Sequence, residues 1–231
     1  MPVPRTAVII PTLNEATHIT STLRALHKLP TPVECIVADG HSSDATRENA
    51  APYATVCTSE RGRAHQMNAG AAIAEAPILV FLHADTQIPP RSWRAMHQAL
   101  HDPAVQAGTF RLAFQRPTPL LRFYTWWTYL SWWGLAFGDR GLFIRRRHFN
   151  NMGGFADMPI FEDLDMARRL CKHGSFRFLD VPVVTSARRF RATGTVRQQV
   201  QNASLWIRYM LGTSPDTLAV AYRYDDMVRE A

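Results

Sequence analysis

Acidic side chains follow each of three apolar runs in the first ninety residues of this chain. Uninterrupted aliphatic and β-branched runs indicate strands that are buried on both faces, as in a parallel sheet covered by helices. Ligands of such sheets bind outside the carboxyl ends of the strands, where these acids should gather. Gathered carboxylates need a partner, such as a metal ion, a base edge that donates hydrogen bonds, or a reacting hydroxyl. The pattern therefore predicts an enzyme that handles a charged, phosphorylated substrate. The runs and their acids are residues 7–10 with Glu15, residues 35–38 with Asp39, and residues 78–82 with Asp85.

The segment His83-Ala84-Asp85 closes the most apolar of these runs. An acid-x-acid pair in this position typically holds a divalent cation on a diphosphate, and here His83 takes the place of the first acid. Asp85 offers one oxygen ligand and His83 a candidate nitrogen ligand. Magnesium prefers oxygen, whereas manganese accepts nitrogen more readily. We predict a Mn²⁺ or Mg²⁺ site at these two residues; the alternative is that Asp85 only caps the loop that follows.

Two glycine-bearing turns are candidates for binding a nucleotide. In the turn after the second run, Asp39 can accept a hydrogen bond from a base N–H, while Gly40 lets the backbone approach a ligand. The alternative is an ordinary turn in which Asp44 caps the next helix. The segment Arg61-Gly62-Arg63 begins a predicted helix, so guanidinium and backbone donors could together bind an anion. The alternative there is a solvated helix start.

Three acids, Glu162, Asp163 and Asp165, fall in the first turn of a predicted helix over residues 161–173. The helix macrodipole alone favours acids at this end. The functional interpretation is a general base directed at an acceptor hydroxyl.

The elements that must position these residues alternate between strand and helix up to residue 104, which is the signature of a doubly wound sheet. We predict a single domain. The predicted strands cover residues 7–10, 34–39, 53–58, 78–82, 105–114, 141–145 and 176–184. The predicted helices cover residues 14–28, a short segment from 44, and residues 62–74, 91–101, 161–173 and 196–211.

The composition favours an anionic partner, since the 231 residues carry a net charge of +7. Of the 26 basic residues, all but Lys28 and Lys172 are arginines, which suit bidentate phosphate contacts. No nucleic-acid-binding motif accompanies them, so we rank nucleic acid low as a partner. The three cysteines are widely spaced and suit reduced thiols better than disulfides or a zinc site. We expect a cytoplasmic protein without a signal peptide, and no uncharged apolar stretch reaches the ~20 residues that span a bilayer.

Residues 123–137 form an uncharged aromatic stretch that includes Trp132 and Trp133. Three interpretations stay open. The stretch is an interfacial helix at the inner face of the membrane that gives access to a lipid-linked acceptor. It is an aromatic floor that stacks on sugar rings. Or it is a helix buried against the sheet or at a homodimer interface.

The motifs together are far more specific than any one of them. In order, they resemble the family 2 glycosyltransferases of the GT-A fold, and in detail the bacterial subgroup labelled radical-SAM/selenodomain-associated transferase 2. The resemblance extends from Thr6 to about Tyr222. The matching segments are residues 8–15, the pattern Ala38-Asp39-Gly40-x-Ser42-x-Asp44-x-Thr46, residues 61–72, His83-Ala84-Asp85-Thr86, Gly138-Asp139-Arg140-Gly141-Leu142-Phe143, Glu162-Asp163 and residues 185–190.

This resemblance implies a Rossmann-like, mostly parallel sheet with helices on both faces and a C-terminal acceptor-side region. It implies a hexosyltransferase-like enzyme with a nucleotide-diphosphate sugar as donor, UDP by default, a divalent metal at Asp85 and His83, and an inverting transfer. Residues 1–104 would bind the donor and residues 105–231 the acceptor. The implied donor-binding residues are Pro11, Thr12, Asn14, Glu15, Asp39, Ser42, Arg61, Arg63, Gln66, Asn68, His83, Ala84 and Asp85. The implied catalytic residues are Asp163, as the base, and Glu162, and the acceptor-side residues are Asp139, Arg140, Arg188, Arg189, Trp132 and Trp133.

Two residues depart from the pattern of the family. His83 stands where many relatives carry an acid, although the subgroup itself uses histidine. Arg140 replaces an expected glutamine beside Asp139, which would alter contacts with the acceptor. Because the acid pair is incomplete, a non-catalytic nucleotide-sugar or glycan-binding module is the alternative function.

Overall fold

The computed structural model describes most of the chain. The described residues are 5–115, 117–118, 121–122, 125–126, 132–136, 138–172, 174, 176–186 and 195–221, with side chains of the last range from residue 200. The predicted site residues Arg188 and Arg189 and most of the aromatic stretch 123–137 lie outside this part.

Eight strands form one mixed sheet. They are β1 (Thr6–Thr12), β2 (Val33–Asp39), β3 (Thr55–Thr58), β4 (Ile78–Phe81), β5 (Thr86–Gln87), β6 (Ala107–Phe114), β7 (Leu142–Arg145) and β8 (Phe176–Thr185). Their order in the sheet is β3-β2-β1-β4-β7-β6-β8-β5. The N-terminal strands β1 to β4 pair in parallel, as does β6 with β8. The antiparallel pairs are β4 with β7, β6 with β7, and β5 with β8.

Besides the helical residues 121–122, 125–126 and 215–221, seven helices whose bounds lie in the described chain connect or cover these strands. They are α1 (Ile19–Leu26), α2 (Thr46–Ala50), α3 (Arg63–Ile73), α4 (Pro90–Ala99), α5 (Arg146–Asn151), α6 (Glu162–Lys172) and α7 (Thr195–Met210). Short 3₁₀ turns occupy Trp133–Leu135 and Gly138–Arg140. No helix in the described part of the chain combines the length and the apolar character that crossing a membrane requires.

The core lies on both faces of the sheet because successive side chains of a strand point to opposite sides. Val8 and Ile10 of β1 pack into one buried cluster with residues of α1 and α4. Ala7 and Ile9 pack into a second cluster with residues of α3 and α6. The predicted α/β class, with helices on both faces of a Rossmann-like sheet, is therefore confirmed.

Helix α3 packs very closely on β1 at Gly70. A Cβ atom added there would lie 2.5 Å from Cγ2 of Ile9, so a larger residue would push the helix away from the sheet. This close packing brings the first turn of α3 next to the carboxyl ends of β1 and β2.

Several predicted boundaries were wrong. The helix predicted from residue 14 begins only at Ile19, because Asn14 has a left-handed backbone with φ of 56° and cannot continue a helix. The strand predicted over residues 53–58 is shorter, at Thr55–Thr58. The two-residue strand β5 and the helix α5 were not predicted.

Candidate active site

The loops that follow β1 and β2 are joined to each other by hydrogen bonds. The backbone N–H of Asn14 donates to Oγ of Ser42 at 2.9 Å, and the N–H of Ser43 donates to Oδ1 of Asn14 at 2.9 Å. The N–H of Glu15 donates to Oγ1 of Thr46 at 2.8 Å. The two loops thus form one continuous rim at the carboxyl ends of these strands.

Asp44 holds the same rim in place from the start of α2. Its carboxylate accepts hydrogen bonds from the hydroxyl and backbone N–H of Thr46 and from the N–H of Ala16. The hydrogen bond from the Thr46 hydroxyl is the main reason that the pKa of Asp44 is lowered. Asp44 is not the N-cap of α2, because Ala45 takes that position without a side-chain hydrogen bond. Asp44 instead ties its own turn to the loop after β1.

Asp39 is fully buried at the end of β2. Its Oδ1 accepts hydrogen bonds from Oγ1 of Thr12 at 3.2 Å and from Oγ of Ser42 at 2.5 Å, and its Oδ2 accepts one from the N–H of Ser42 at 2.8 Å. Nε of Arg47 lies 4.0 Å from Oδ2. Asp39 is therefore held rigidly by the residues that border the rim.

Gln66 braces the ends of β1 and β2 from inside the protein. Its Nε2 donates to the carbonyl oxygens of Thr12 at 2.6 Å and Ala38 at 3.0 Å. The side chain is 4% exposed. Both amide hydrogens are used by the protein backbone, so Gln66 positions the strand ends from beneath the rim.

Asn68 ties α3 to the turn that follows α5. Its Nδ2 donates to the carbonyl of Phe155 at 2.9 Å, and its Oδ1 accepts from the N–H of Phe155 at 3.0 Å. The neighbouring Gly154 has a φ of +73°, and a Cβ atom there would lie 2.7 Å from Oδ1 of Asn68. Sequence reasoning missed this turn, although the glycine pair at residues 153–154 was its signal.

Arg63 links the first half of the chain to the acids of α6. Nε and Nη2 of Arg63 both lie 2.6 Å from Oε1 of Glu162, and Nη2 lies 3.1 Å from Oδ2 of Asp163. Burial alone would lower the pKa of Arg63, but the charges of Glu162 and Asp163 outweigh burial and raise it. The guanidinium thus stays charged and holds both acids at the first turn of α6.

Glu162 and Asp163 lie in different surroundings although they are adjacent. Glu162 is 1% exposed, and burial raises its pKa against the opposing charge of Arg63. The side chain of Asp163 is 13% exposed, and its Oδ1 accepts from the N–H of Leu164 at 2.7 Å. Asp163 is therefore the acid of this pair that solvent and a substrate can reach.

A small, mostly apolar cleft lies between these acids and the ends of β1 and β4. Its walls include Pro11, Arg63, His83 and Asp163. The cleft thus brings predicted donor-side residues, such as Pro11 and His83, together with the predicted base Asp163.

Asp85 lies just beyond β4, beside the end of β8. Its Oδ1 is 3.4 Å from the hydroxyls of both Thr86 and Thr185. Ala84, which precedes it, is buried, and its carbonyl accepts a hydrogen bond from Oγ1 of Thr22 at 2.6 Å. The segment 83–85 is thus fixed between α1 and β8.

Asp139 lies among the other charged groups of the site. Burial is the main cause that raises its pKa to about 6; the charges of Asp163 and Asp85 add to this, and Arg140 and Arg63 oppose it. Its Oδ1 is shielded from solvent and accepts no hydrogen bond from the described residues. One oxygen of the Asp139 carboxylate therefore has no hydrogen-bond donor among the described residues.

The donor set around Asp85 suits a hard divalent cation that also binds substrate phosphates. Within the described residues, no three His, Cys, Asp or Glu side chains converge as ligands. Mg²⁺ usually keeps several waters and takes only one or two protein carboxylates beside phosphate oxygens. Asp85 therefore fits such an ion, and the shielded Oδ1 of Asp139 has no hydrogen-bond donor among the described residues.

The side chain of Arg140 points into the interior of the protein. It is 1% exposed; its Nε donates to the carbonyl of Phe110 at 2.8 Å and its Nη1 to that of Leu135 at 3.0 Å. Its guanidinium also lies 5.6 Å from the centre of the Phe178 ring. Arg140 thus anchors the turn that carries Asp139.

Arg61, which the sequence placed on the donor side together with Arg63, is exposed at the start of α3.

Two aromatic residues of α7 contact Trp132 and Phe161. Trp206 meets Trp132 edge to face at 5.8 Å, and its Nε1 donates to the carbonyl of Gly134 at 2.7 Å. Tyr209 stacks on Phe161 at 4.7 Å, directly before Glu162. Sequence reasoning missed Trp206 and Tyr209, because nothing in a helical pattern shows which distant segment its aromatic residues meet.

Residues 7–158 match the family model described as glycosyl transferase family 2. The chain belongs to this family. Among curated protein sequences, none matches the chain significantly.

Solved structures with the same fold include transferases in complex with nucleotides. A mannosyltransferase from Pyrobaculum calidifontis, PcManGT, in complex with GDP-Man and Mn²⁺, is 22% identical with a TM-score of 0.67; the match covers 97% of this chain and 70% of that one. S. aureus TarS 1–349 in complex with UDP-GlcNAc is 18% identical with a TM-score of 0.63, covering 79% of this chain and 58% of that one. Glucosyl-3-phosphoglycerate synthase from Mycobacterium tuberculosis, in complex with Mg²⁺ and UDP, is 17% identical with a TM-score of 0.58, covering 79% and 70%. This chain thus spans 58% of the TarS structure's length, and at these identities the likeness shows the GT-A fold alone.

Proposed function

We propose that the protein is an inverting glycosyltransferase of the hexosyltransferase type, which moves a sugar from a nucleotide-diphosphate donor to an acceptor hydroxyl. The observation that carries this proposal is the cleft shared by Pro11, His83 and Asp163. A donor bound at the ends of β1 and β4 would present its sugar to the only acid of the Glu162–Asp163 pair that a substrate can reach. UDP-sugars are the first donors to test, with GDP-sugars second, because structures of both kinds share the fold.

On the donor side, the joined loops after β1 and β2 would hold the nucleotide. Asp39 and Ser42 lie at the base of this rim, and Thr12, Asn14 and Glu15 border it. Gln66 and Asn68 would act indirectly, by fixing the strand ends and the turn at Phe155. The exposed Arg61 is free to approach the diphosphate at the start of α3, where backbone N–H groups also favour an anion.

In the proposed transfer, an acceptor hydroxyl attacks the anomeric carbon on the face opposite the leaving diphosphate. One carbon–oxygen bond forms as the bond to the diphosphate breaks, and the configuration inverts. Asp163 takes the hydroxyl proton, and Arg63 keeps its carboxylate in place. A divalent cation at Asp85, with His83, would supply positive charge to the departing diphosphate. Glu162, buried behind Arg63, would position Asp163 rather than touch the substrate.

On the acceptor side, the described part of the aromatic stretch is partly exposed. Trp126 is 59% exposed and Trp132 is 40% exposed. Trp132 and Trp133, with the segment that carries Asp139, would meet the acceptor, and Arg188 and Arg189 complete this proposed set. Arg140 is buried and would anchor that segment from inside the protein. Exposed tryptophans suit either sugar rings or the membrane interface. We therefore propose a cytoplasmic enzyme that lies at the inner face of the membrane as a peripheral protein. Its acceptor would be a small molecule or a lipid-linked molecule. The alternative is that the exposed tryptophans form a homodimer interface.

The test begins with thermal shifts of the protein against UDP- and GDP-sugars in the presence of Mn²⁺ or Mg²⁺, since a ligand of the folded form raises its stability. The donors found are then used to measure turnover by wild type, Asp163→Asn and the matched control Asp157→Asn. Asp157 has a side chain that is 81% exposed, so its variant should behave as wild type. Asp163→Asn should keep the donor shift but lose about 10²- to 10⁴-fold in rate, the usual contribution of a general base.

The alternative function gives the opposite result. A non-catalytic nucleotide-sugar or glycan-binding module would show the thermal shift without turnover, and Asp163→Asn would then match wild type in every measurement. Transfer by Asp163→Asn at the wild-type rate would remove Asp163 as the base even if the protein is a transferase.

A further inference from the structure

We propose that Asp139 is a second carboxylate ligand of the divalent cation and that, with Asp85, it forms the acid pair that the sequence lacks at His83. This inference rests on the proposed function, in which a cation accompanies the donor diphosphate. It assigns a different role to a residue that the sequence placed on the acceptor side.

The sheet register brings the two acids together. Strands β4 and β7 are antiparallel, and Phe81 at the end of β4 pairs with Leu142 at the start of β7. Residues shortly after Phe81 therefore lie beside residues shortly before Leu142. Asp85 belongs to the first group and Asp139 to the second. An acid that is distant in sequence thus reaches the place where a neighbouring acid would stand in an acid-x-acid pair.

The turn that carries Asp139 is built rigidly. It is a 3₁₀ turn over Gly138–Arg140, and Gly141, which follows, has a φ of +66°. Arg140 is anchored in the interior through the carbonyls of Phe110 and Leu135. Oγ1 of Thr109 donates to the carbonyl of Gly141 at 2.6 Å. Asp139 is therefore held in position before any ligand arrives.

Two arginines, Arg140 and Arg63, lie near Asp139, but neither donates a hydrogen bond to its shielded Oδ1. Oδ1 accepts no hydrogen bond from the described residues, although a buried carboxylate oxygen without a partner is costly. The nearby guanidinium of Arg63 is bonded to Glu162 and Asp163. A cation shared with Asp85 would satisfy this oxygen, and a site of two carboxylates plus phosphate oxygens and waters is what Mg²⁺ or Mn²⁺ commonly uses.

The experiment measures Mn²⁺ binding directly, as the loss of the free-ion EPR signal, with Mn²⁺ alone and with Mn²⁺ plus UDP or GDP. Wild type is compared with Asp139→Asn, Asp85→Asn and the control Asp157→Asn. We expect Asp139→Asn and Asp85→Asn each to weaken Mn²⁺ binding at least tenfold, while Asp157→Asn leaves it unchanged. Asp139→Glu keeps a carboxylate and should retain part of the affinity.

A thermal readout separates ligation from a structural role. Without metal, Asp139→Asn should be as stable as wild type or more stable, because it removes an unpartnered buried charge. Added Mn²⁺ should raise the Tm of wild type but not that of Asp139→Asn. A variant that fails to fold would contradict the inference, because Asp139 would then be needed for the fold without any cation.

The outcomes distinguish this inference from the function on which it rests. If Asp139→Asn binds Mn²⁺ within twofold of wild type while Asp85→Asn does not, Asp139 is not a ligand but the metal site at Asp85 stands. If both variants bind Mn²⁺ as wild type does, the metal site of the proposed function fails as well.

Discussion

Replacing Arg63 by methionine should destabilise the protein mainly through Glu162. Nε and Nη2 of Arg63 both lie 2.6 Å from Oε1 of Glu162, which is 1% exposed. Removing one partner of a fully buried ion pair costs about 3–5 kcal/mol, whereas exposed pairs contribute about 0.2–1 kcal/mol. Because the side chain of Arg63 is 41% exposed, solvent screens it partly. We therefore expect Arg63→Met to lower the free energy of unfolding by about 2–3 kcal/mol at neutral pH, between these limits.

The pH dependence of this loss identifies its cause. Burial raises the pKa of Glu162 above the ordinary value of 4.5, and Arg63 opposes that rise. Without Arg63 the pKa of Glu162 should rise further, so the folded variant binds a proton more tightly than the unfolded chain. Stability then falls as pH rises from about 4.5 through the raised pKa. The deficit relative to wild type should be largest at pH 7.5 and should shrink at pH 5.

Urea unfolding of Arg63→Met, Glu162→Gln and the double variant at both pH values measures this coupling. The double variant should be less destabilised than the sum of the two single variants, by about 1–2 kcal/mol for residues in direct contact. Arg61→Met is the matched control, because Arg61 is exposed at the same helix start. Additive effects, or a deficit that is equal at pH 5 and pH 7.5, would refute the ion pair as the cause.

Three further predictions concern single residues of helix α3 and of the sheet. Gln66→Leu removes the donor to the carbonyls of Thr12 and Ala38 and should cost about 1–3 kcal/mol in urea unfolding; a loss below about 0.5 kcal/mol, the range of surface substitutions, would contradict this. Gly108→Ala would place a Cβ atom against the carbonyl of Arg177 and the ring of Phe143, so we expect a loss of about 1–3 kcal/mol or more from overpacking, whereas an unchanged Tm would argue against it. Burial raises the pKa of the Cys35 thiol to about 11, so iodoacetamide at pH 8 should label the partly exposed Cys57 well before Cys35 in peptide mapping; equal rates would contradict this.

The sheet could be predicted because its strands are buried on both faces. The runs at β1, β2 and β4 are continuously apolar, and the structure buries them almost completely. The parts that were wrong depend on tertiary contacts. Strand β5 consists only of Thr86–Gln87 and exists because it pairs with the end of β8. The start of α1 was predicted too early because Asn14 turns its backbone to meet Ser42, which is distant in sequence.

The sequence singled out the candidate site residues one by one but not the contacts between them. The acids at strand ends and at the start of α6 were identified from their positions, and the cleft brings His83 and Asp163 together. That Arg63 would bind Glu162 and Asp163 could not be read from the sequence, because about a hundred residues separate them. The inward direction of Gln66 and Arg140 likewise depends on which carbonyl groups the packed strands leave unpaired.

Backbone geometry connects helix α7 to the proposed base. Among the described residues other than glycine, only Asn14, His41 and Phe161 have positive φ, and all three lie in loops that border the site. Asn and His adopt this conformation fairly readily, whereas for a bulky residue such as Phe161 it is a true outlier. Such conformations cost of order 1–3 kcal/mol and persist only where the surroundings enforce them. The ring of Phe161 stacks on Tyr209 of α7. Because Phe161 directly precedes Glu162 and Asp163, the position of α7 constrains how the two acids enter the cleft.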